Sequence, residues 1–590
     1  MEMEKGMGME MRAREDIEIG EDITPPIPPL SYALHHSFLH SHCYSCFSPL
    51  PLPLNSNYNN TKNHHHYYYC SPACSTTRVV STEELRILQS HHHHPFSSDL
   101  RAALRFLQSH PDDRIAGLLT NCHKLLLQED DEFAATIREG AKAIATATDM
   151  ASASAALCLV LTNGVEVQDY DGRNLGIAVY PKNFSWINHS CSPNASYHFF
   201  LSPPPPCCPN STKLRILPQH TVLTKDDEVC QDNGPKIVVR SIKRIKQGEQ
   251  VTVTYTNLLQ PKEISSASLD ASSVSSDQNV YRDYAIRRLT DYIDDAILQY
   301  LSFGDPELCC EKLENLLTQG LLYEQLEGGE VKSQPTIKLH PLHFLCLNAY
   351  TTLASAYKVR ASDLLGLYSE MDEHLLEALD LSRTSAAYSL LLAGATHHLF
   401  RFESSLIATV ANFWISAGDS LLTLSRSPAW SEFAKWDLPI ANPPLLKHIC
   451  SKCSLMDNFK AILFHREAQN ADFEDISSEF LDCVTIITQK VWSFLIPGCC
   501  YLRAFKDPID FSWLGTSKYS SLRDVRPHLC CTAEGHLQER MHIFQLGVHC
   551  LLYGGYLASI CYGRHSNLTS QVQNILDCEE CLINDSHESD

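Results

Sequence analysis

The feature that most restricts the fold of this 590-residue chain is a change of hydrophobic period along it. Between about residues 165 and 261 the apolar residues fall in short β-branched or aromatic runs, LGIAVYP (175–181), KIVVRSI (236–242) and QVTVTY (250–255), bounded by Gly, Pro and Asn. Runs of that kind read as strands. Ahead of them the period is helical: Leu100, Ala103, Leu104 and Leu107 form one stripe, and Ile115, Leu118, Leu119, Cys122, Leu125 and Leu126 repeat the habit. A Ser- and Ala-rich stretch, 264–278, carries too little apolar surface to offset its ordering entropy and reads as a linker. Beyond it every stripe is helical again, as in Leu289, Tyr292, Ile293, Ala296, Ile297 and Tyr300, in Leu342, Cys346, Ala349, Leu353 and Ala356, or in Cys309 and Cys310 with Leu313, Leu316 and Leu317, which fit a packed helix face. The pattern predicts an α+β chain, with a β core preceded by inserted helices and followed by an all-α region.

Charge and cysteine content narrow the class further. With 69 acidic and 47 basic residues the net charge is −22, which repels phosphate backbones and suits a basic protein substrate better than nucleic acid. The 24 cysteines are too dilute for a secreted disulfide scaffold, and residues 1–22 are charged and lack the apolar core of a signal peptide. A reducing compartment, nucleus and/or cytoplasm, is the expectation. Residues 543–562 have no formal charge, but they include Gln545, His549, Gly554 and Gly555 and are expected as a buried helix, with no membrane span.

The strongest local feature is NHSCSPN, Asn188 to Asn194. By itself it reads as a polar turn with a buried cysteine; a thiol nucleophile would also need an orienting group and an oxyanion site. Some sixty residues later comes GEQVTVTY, ending at Tyr255. In that order the two motifs resemble SET-domain protein lysine methyltransferases, whose signature is NHSCxPN followed by GEE(L/V)TxxY. The upstream LGIAVYP and the amino-terminal AREDIEIGEDI (13–23) are similar to strands of the SET and MYND subfamily, and YRDYAIRRLTDYIDDAI (281–297) is similar to plant SET DOMAIN GROUP proteins of that type.

The resemblance implies a knotted β SET core in which the NHSC segment threads beneath a loop and meets the Tyr255 strand. It implies S-adenosylmethionine bound by Asn188 and His189 and by the glycines Gly6 and Gly8, with Asn194 fixing the knot and Tyr255 as the catalytic tyrosine. Cys191 and Pro193 are expected to be packing and turn residues. Methyl transfer from an activated sulfonium needs in-line placement of an amine more than a strong base. The lysine amine, with a free pKa of ~10.4, must arrive neutral, and a dry channel favours that form. A tyrosine hydroxyl can then orient it.

Cys43 and Cys46 have the spacing of a zinc hook, and Cys70 and Cys74 form a second pair. Four thiolates suffice for one closed tetrahedral site. The fragment YYYCSPAC resembles part of a MYND finger, of which the first and third ligand pairs are retained, so the resemblance implies one zinc and a protein-docking role. The stretch 41–95 otherwise shows little apolar periodicity and reads as an irregular insertion.

The expected organisation is SET strands at 1–40, a degenerate MYND-like zinc insertion at 41–95, a helical insertion at 96–164, the SET core at 165–261, a linker at 262–280, a helical domain at 281–575 resembling tetratricopeptide repeats, and an acidic tail at 576–590. The helical domain is expected to bind protein partners; an irregular bundle is its alternative. Family members usually follow the catalytic tyrosine with a CxCxxC segment, yet no cysteine occurs from Gln231 to Leu308. Two functions therefore stand: a lysine methyltransferase with a basic protein substrate such as a histone tail, or a catalytically silent SET and helical scaffold.

Overall fold

A computed structural model describes residues 10–50, 67–109, 117–126, 132–145, 148–169, 172–201, 213–218, 234–255, 276–320, 339–367, 372–430, 450, 454, 455, 459, 473–511, 533–564 and 566–584. The chain forms two compact units, Met1–Tyr255 and Thr256–Asp590.

The described strands of the first unit are β1 (Met11–Ala13), β2 (Ser31–Leu34), β3 (Gly164–Gln168), β4 (Asn174–Val179), β5 (Asn188–His189), β6 (Ala195–Phe200), β7 (Ile216–Pro218), β8 (Lys236–Ser241) and β9 (Thr252–Val253). They form small sheets: antiparallel β2-β4-β3, β1-β7 and β6-β8, and a parallel β5-β9 pair. β4 is buried along Leu175–Val179 because it is covered on both faces, Leu175 and Ala178 on one core and Ile177 and Val179 on another. That is why its sequence is a continuous apolar run. A side chain at Gly176 would place Cβ 2.3 Å from the Ala33 carbonyl oxygen, so glycine is what lets β2 and β4 close up there.

The two ends of this unit are woven together. Ile17 and Ile245 exchange backbone hydrogen bonds, as do Ile27 and Ile237, and Val251 N–H donates to the Met11 carbonyl. Met11, Ala13, Ile17, Ile23 and Ile27 thus share one core with Ile237, Val239, Ile245, Val251 and Val253. QVTVTY is shorter as a strand than its sequence suggests, with only Thr252 and Val253 in β9.

After α1 (Pro72–Thr77), which carries Cys74, the helices α2 (Thr82–Ser90), α3 (Ser97–Ser109), α4 (Cys122–Leu126), α5 (Glu132–Ile144) and α6 (Met150–Asn163) cover the other face of the β2-β4-β3 sheet, and the short α7 (Lys182–Ser185) leads into β5. The expectation of an irregular insertion over 41–95 is corrected by α1 and α2. Ser71 caps α1 by accepting from Cys74 N–H, with Pro72 in the first turn, and Ser81 caps α2 by accepting from Glu84 N–H. The stripe from Leu118 is helical only from Cys122, since Gly117 (φ 73°) and Asn121 (φ 49°) are left-handed; Ile115 lies outside the described residues.

A polar network lies inside this helical layer. Arg105 Nη2 pairs with Glu84 Oε1 at 2.5 Å, both side chains 2% exposed, and the Tyr44 hydroxyl donates to the same carboxylate oxygen at 2.6 Å. Arg105 also donates to the Tyr32 carbonyl and Arg101 to the Leu34 carbonyl. Burial opposes ionisation of Glu84, but Arg105 and these hydrogen bonds outweigh it and hold the carboxyl below its ordinary range.

The α-helices described in the second unit are α8 (Ser276–Phe303), α9 (Pro306–Gln319), α10 (Phe344–Leu367), α11 (Asp372–Phe400), α12 (Ile407–Ser425), α13 (Phe473–Leu495), α14 (Ala533–Tyr562) and α15 (Asn567–Asn584), and no strand occurs among its described residues. Leu289, Ile293 and Ala296 are buried as the stripe predicts, whereas Tyr292 is exposed. Cys309, Cys310, Leu313, Leu316 and Leu317 form the buried face of α9. Residues 537–562 of α14 are long and apolar enough to cross a membrane, but 94% of their most apolar window is buried within the protein. α12 and α14 approach through glycines: a Cβ at Gly554 would lie 2.7 Å from Ile415 Cγ1 and 2.9 Å from its backbone nitrogen.

Candidate active site

The NHSC segment and the strand ending at Tyr255 meet directly. Asn188 pairs with Thr252 and His189 with Val253 in parallel register, and Ser190 N–H donates to the Val253 carbonyl at 3.0 Å. Asn194 holds the junction from beneath. Its Nδ2 donates to the Gln250 carbonyl (2.9 Å) and to Glu249 Oε1 (3.2 Å), while its Oδ1 accepts from Thr252 N–H (2.9 Å) and its backbone carbonyl accepts from Ile242 N–H (3.0 Å). An amide head carries two N–H donors and a carbonyl acceptor, and Asn194 uses both donors and the acceptor at this buried position.

Tyr255 is fixed at both ends. Its backbone N–H donates to His189 Nδ1 at 3.1 Å, and its hydroxyl donates to the Ile187 carbonyl. The bond to Nδ1 requires a lone pair on that nitrogen, so the geometry specifies the His189 tautomer. The two rings lie 5.4 Å apart. Although Tyr255 is 58% exposed as a residue, partial burial of its hydroxyl holds the phenol above its ordinary value of 10, so it remains a hydroxyl at neutral pH. In the same core an aromatic group, Tyr180, Phe184, Tyr197 and Phe199, packs edge to face. Burial pushes the Tyr197 phenol up to about 12.

Cys43, Cys46, Cys70 and Cys74 converge, their sulfurs all within 4.8 Å of one another. Cys70 Sγ lies 3.6 Å from both Cys46 Sγ and Cys74 Sγ. Tetrahedral zinc with Zn–S bonds of ~2.3 Å sets its sulfurs about 3.8 Å apart, so the four donors fit such a cation. The Cys43–Phe47 turn brings the first pair together with Phe47 at φ 65°, an unusual conformation for a bulky residue, held by complete burial of its ring. Hydrogen bonding from the Cys46 thiol and from backbone N–H groups brings the Cys43 thiol down to about 4 despite burial, and the same contact with burial pushes Cys46 up. Tyr44 N–H donates to the Tyr68 carbonyl, tying the first cysteine pair to the YYYC segment.

The structure therefore unites Asn188, His189, Asn194 and Tyr255 in one place and the four cysteines in another. Gly6 and Gly8 lie outside the described residues, as does the segment 256–275 after Tyr255. Pro193 is buried as expected; Cys191 is exposed rather than packed, its Sγ 3.5 Å from His189 Nε2, because the turn after β5 directs it outward. The Ile187 carbonyl that anchors Tyr255 was not legible as a site residue, since a backbone acceptor leaves no mark in side-chain identity.

The SET domain family model matches residues 8–256. The chain is 35% identical to Protein SET DOMAIN GROUP 41 of Arabidopsis thaliana, an alignment that covers 96% of this chain and all of that relative. With the paired motifs joined at Tyr255, these similarities establish that the chain belongs to the SET-domain family.

Proposed function

We propose that this protein is an S-adenosylmethionine-dependent protein-lysine N-methyltransferase acting on a basic protein such as a histone tail. The observation that carries the reading is the junction of Tyr255 with the NHSC segment. SET-domain proteins are usually lysine methyltransferases, and the polar heads of Asn188 and His189 beside an accessible tyrosine ring suit a cationic amino-acid cofactor. When bound, S-adenosylmethionine supplies an activated methyl group on a sulfonium centre. Asn188 and His189, with Gly6 and Gly8, would hold it.

Tyr255 would hold the substrate amine. Its hydroxyl proton is committed to the Ile187 carbonyl, which leaves the phenol oxygen to accept from the amine N–H and turn the nitrogen lone pair toward the methyl donor. The raised phenol pKa preserves that role, because a phenolate would stabilise the ammonium form instead. The net charge of −22 favours a basic partner, in an association that weakens as salt rises.

The same proposal includes a threaded SET knot, one zinc at Cys43, Cys46, Cys70 and Cys74, a tetratricopeptide-like helical surface for protein partners, and action in the nucleus and/or cytoplasm. The absence of cysteine between Gln231 and Leu308 favours a second reading, a catalytically silent scaffold. Calorimetric titration of the full chain with S-adenosylmethionine, followed by methyl transfer to histones, separates the two. Binding with transfer is expected; no binding overturns the enzyme reading, and binding without transfer supports the scaffold.

A further inference from the structure

The second unit holds a group of metal-ligating side chains far in sequence from the NHSC junction. Cys450, Cys483 on α13 and His549 on α14 bring two sulfurs and a ring nitrogen within 4.8 Å of one another, and the two sulfurs are 3.9 Å apart. Cys483 and His549 are buried and Cys450 is half-buried, so the group lies largely beneath the surface. The sulfur separation matches the edge of a tetrahedral zinc–thiolate site, about 3.8 Å at Zn–S ~2.3 Å.

The histidine is oriented for ligation. His549 Nδ1 lies 2.7 Å from the Gln545 carbonyl oxygen one turn earlier on α14. A carbonyl can only accept, so Nδ1 carries the proton and Nε2 carries the ring lone pair. Metal-bound histidines are held by the same second bond, an N–H given to a carbonyl or carboxylate. His549 sits on a buried part of α14, where Ile543, Phe544, Leu546, Val548 and Leu551 are buried hydrophobics.

We propose that Cys450, Cys483 and His549 form a second metal site, taking a zinc ion through two thiolates and one imidazole, with a fourth position left to solvent or another donor. Soft thiolate with imidazole selects zinc over the hard cations magnesium and calcium. The ion would clasp α13 to α14 and the chain at Cys450 to both. Cys453 follows Cys450 with a two-residue gap in sequence, lies outside the described residues and is not counted among the ligands. The site does not rest on methyl transfer and stands or falls separately from it.

Elemental analysis and zinc X-ray absorption of the full chain, purified without chelators, test the proposal. Wild type is expected to hold about two zinc ions per chain with mixed sulfur and nitrogen coordination. Cys43→Ser/Cys46→Ser, which leaves the second unit unaltered, should retain one, bound by sulfur and nitrogen; Cys483→Ser/His549→Gln should retain one, bound by sulfur alone. Zinc in wild type that is bound by sulfur alone, or about one ion per chain with Cys450 and Cys483 joined as a disulfide, overturns the site. Because the absorption measurement needs only wild-type protein, a variant that fails to fold leaves the test intact.

Discussion

The first unit joins short strands from segments that are distant along the chain, while the second packs helix on helix, consecutive ones for the most part, with α12 against α14 as its most extensive contact. In the first, Arg12 Nη1 donates to the Gly248 carbonyl across 236 residues, and the 11–27 segment lies along 237–251. Its interior also contains a buried ion pair. In the second, α8 and α9 pack as consecutive helices, as do α10, α11 and α12, and glycines set the closest approach of α12 to α14. The difference locates the chemistry. A site built where distant strands meet is positioned by the whole unit, and the NHSC junction is of that kind; packed helices offer surfaces and clasps instead.

That contrast can be broken by substitutions confined to one unit. The largest effect is expected from Arg105→Leu, which leaves the Glu84 carboxylate buried without its cation and should cost about 3–5 kcal/mol. Glu84→Leu/Arg105→Leu should recover much of that loss. Amide hydrogen exchange should register both changes over residues 10–255 with the helices beyond 276 unaltered; an equal loss in both units would merge the two regions into one cooperative block.

The second unit should respond instead to acid at His397. Burial, with Arg401 and His398 nearby, lowers its pKa from 6.5 to about 4, and Trp414 Nε1 donates to its Nδ1 at 3.1 Å. The folded state therefore holds it neutral. Stability attached to His397 is complete above about 6.5 and declines as pH falls toward 4, by roughly 3 kcal/mol. His397→Gln keeps an acceptor for Trp414 and removes the titration. Exchange protection of α11 should therefore fall less between pH 7 and 4 in the variant than in wild type; identical pH dependence would contradict this.

A smaller effect is expected where the helices touch. Gly554→Val forces a branched side chain against Ile415 and should destabilise by about 1–3 kcal/mol, visible as weaker exchange protection in α12 and α14 with the SET unit unchanged.

Legibility in the sequence followed the same division. The buried faces of α9 and α10 were readable because a helix writes its packing into a local period: Cys309, Cys310 and Leu313, or Cys346, Ala349 and Leu353, are all buried. The four-cysteine cluster was found through the spacing of its two pairs, and the Tyr255 junction was implied by the resemblance of the two motifs to SET domains; both kinds of signal survive long separations. What could not be read was long-range backbone pairing, such as Ile17 with Ile245, or a backbone acceptor such as Ile187. α2 was missed although its signal was present: Ser81 and Glu84 stand at the spacing of a capping box before Leu85, Ile87 and Leu88, masked by the histidine and asparagine tracts around it.

The central claim is that Tyr255, anchored on Ile187 and joined to His189, orients a lysine amine for methylation. Its most direct test is the rate of methyl transfer from S-adenosylmethionine to a histone substrate by wild type and Tyr255→Phe, each at matched cofactor occupancy. Loss of the oxygen that receives the amine should lower kcat by roughly 100-fold while the cofactor Kd is little changed. Equal rates in the two proteins, with equal cofactor binding, would contradict the account.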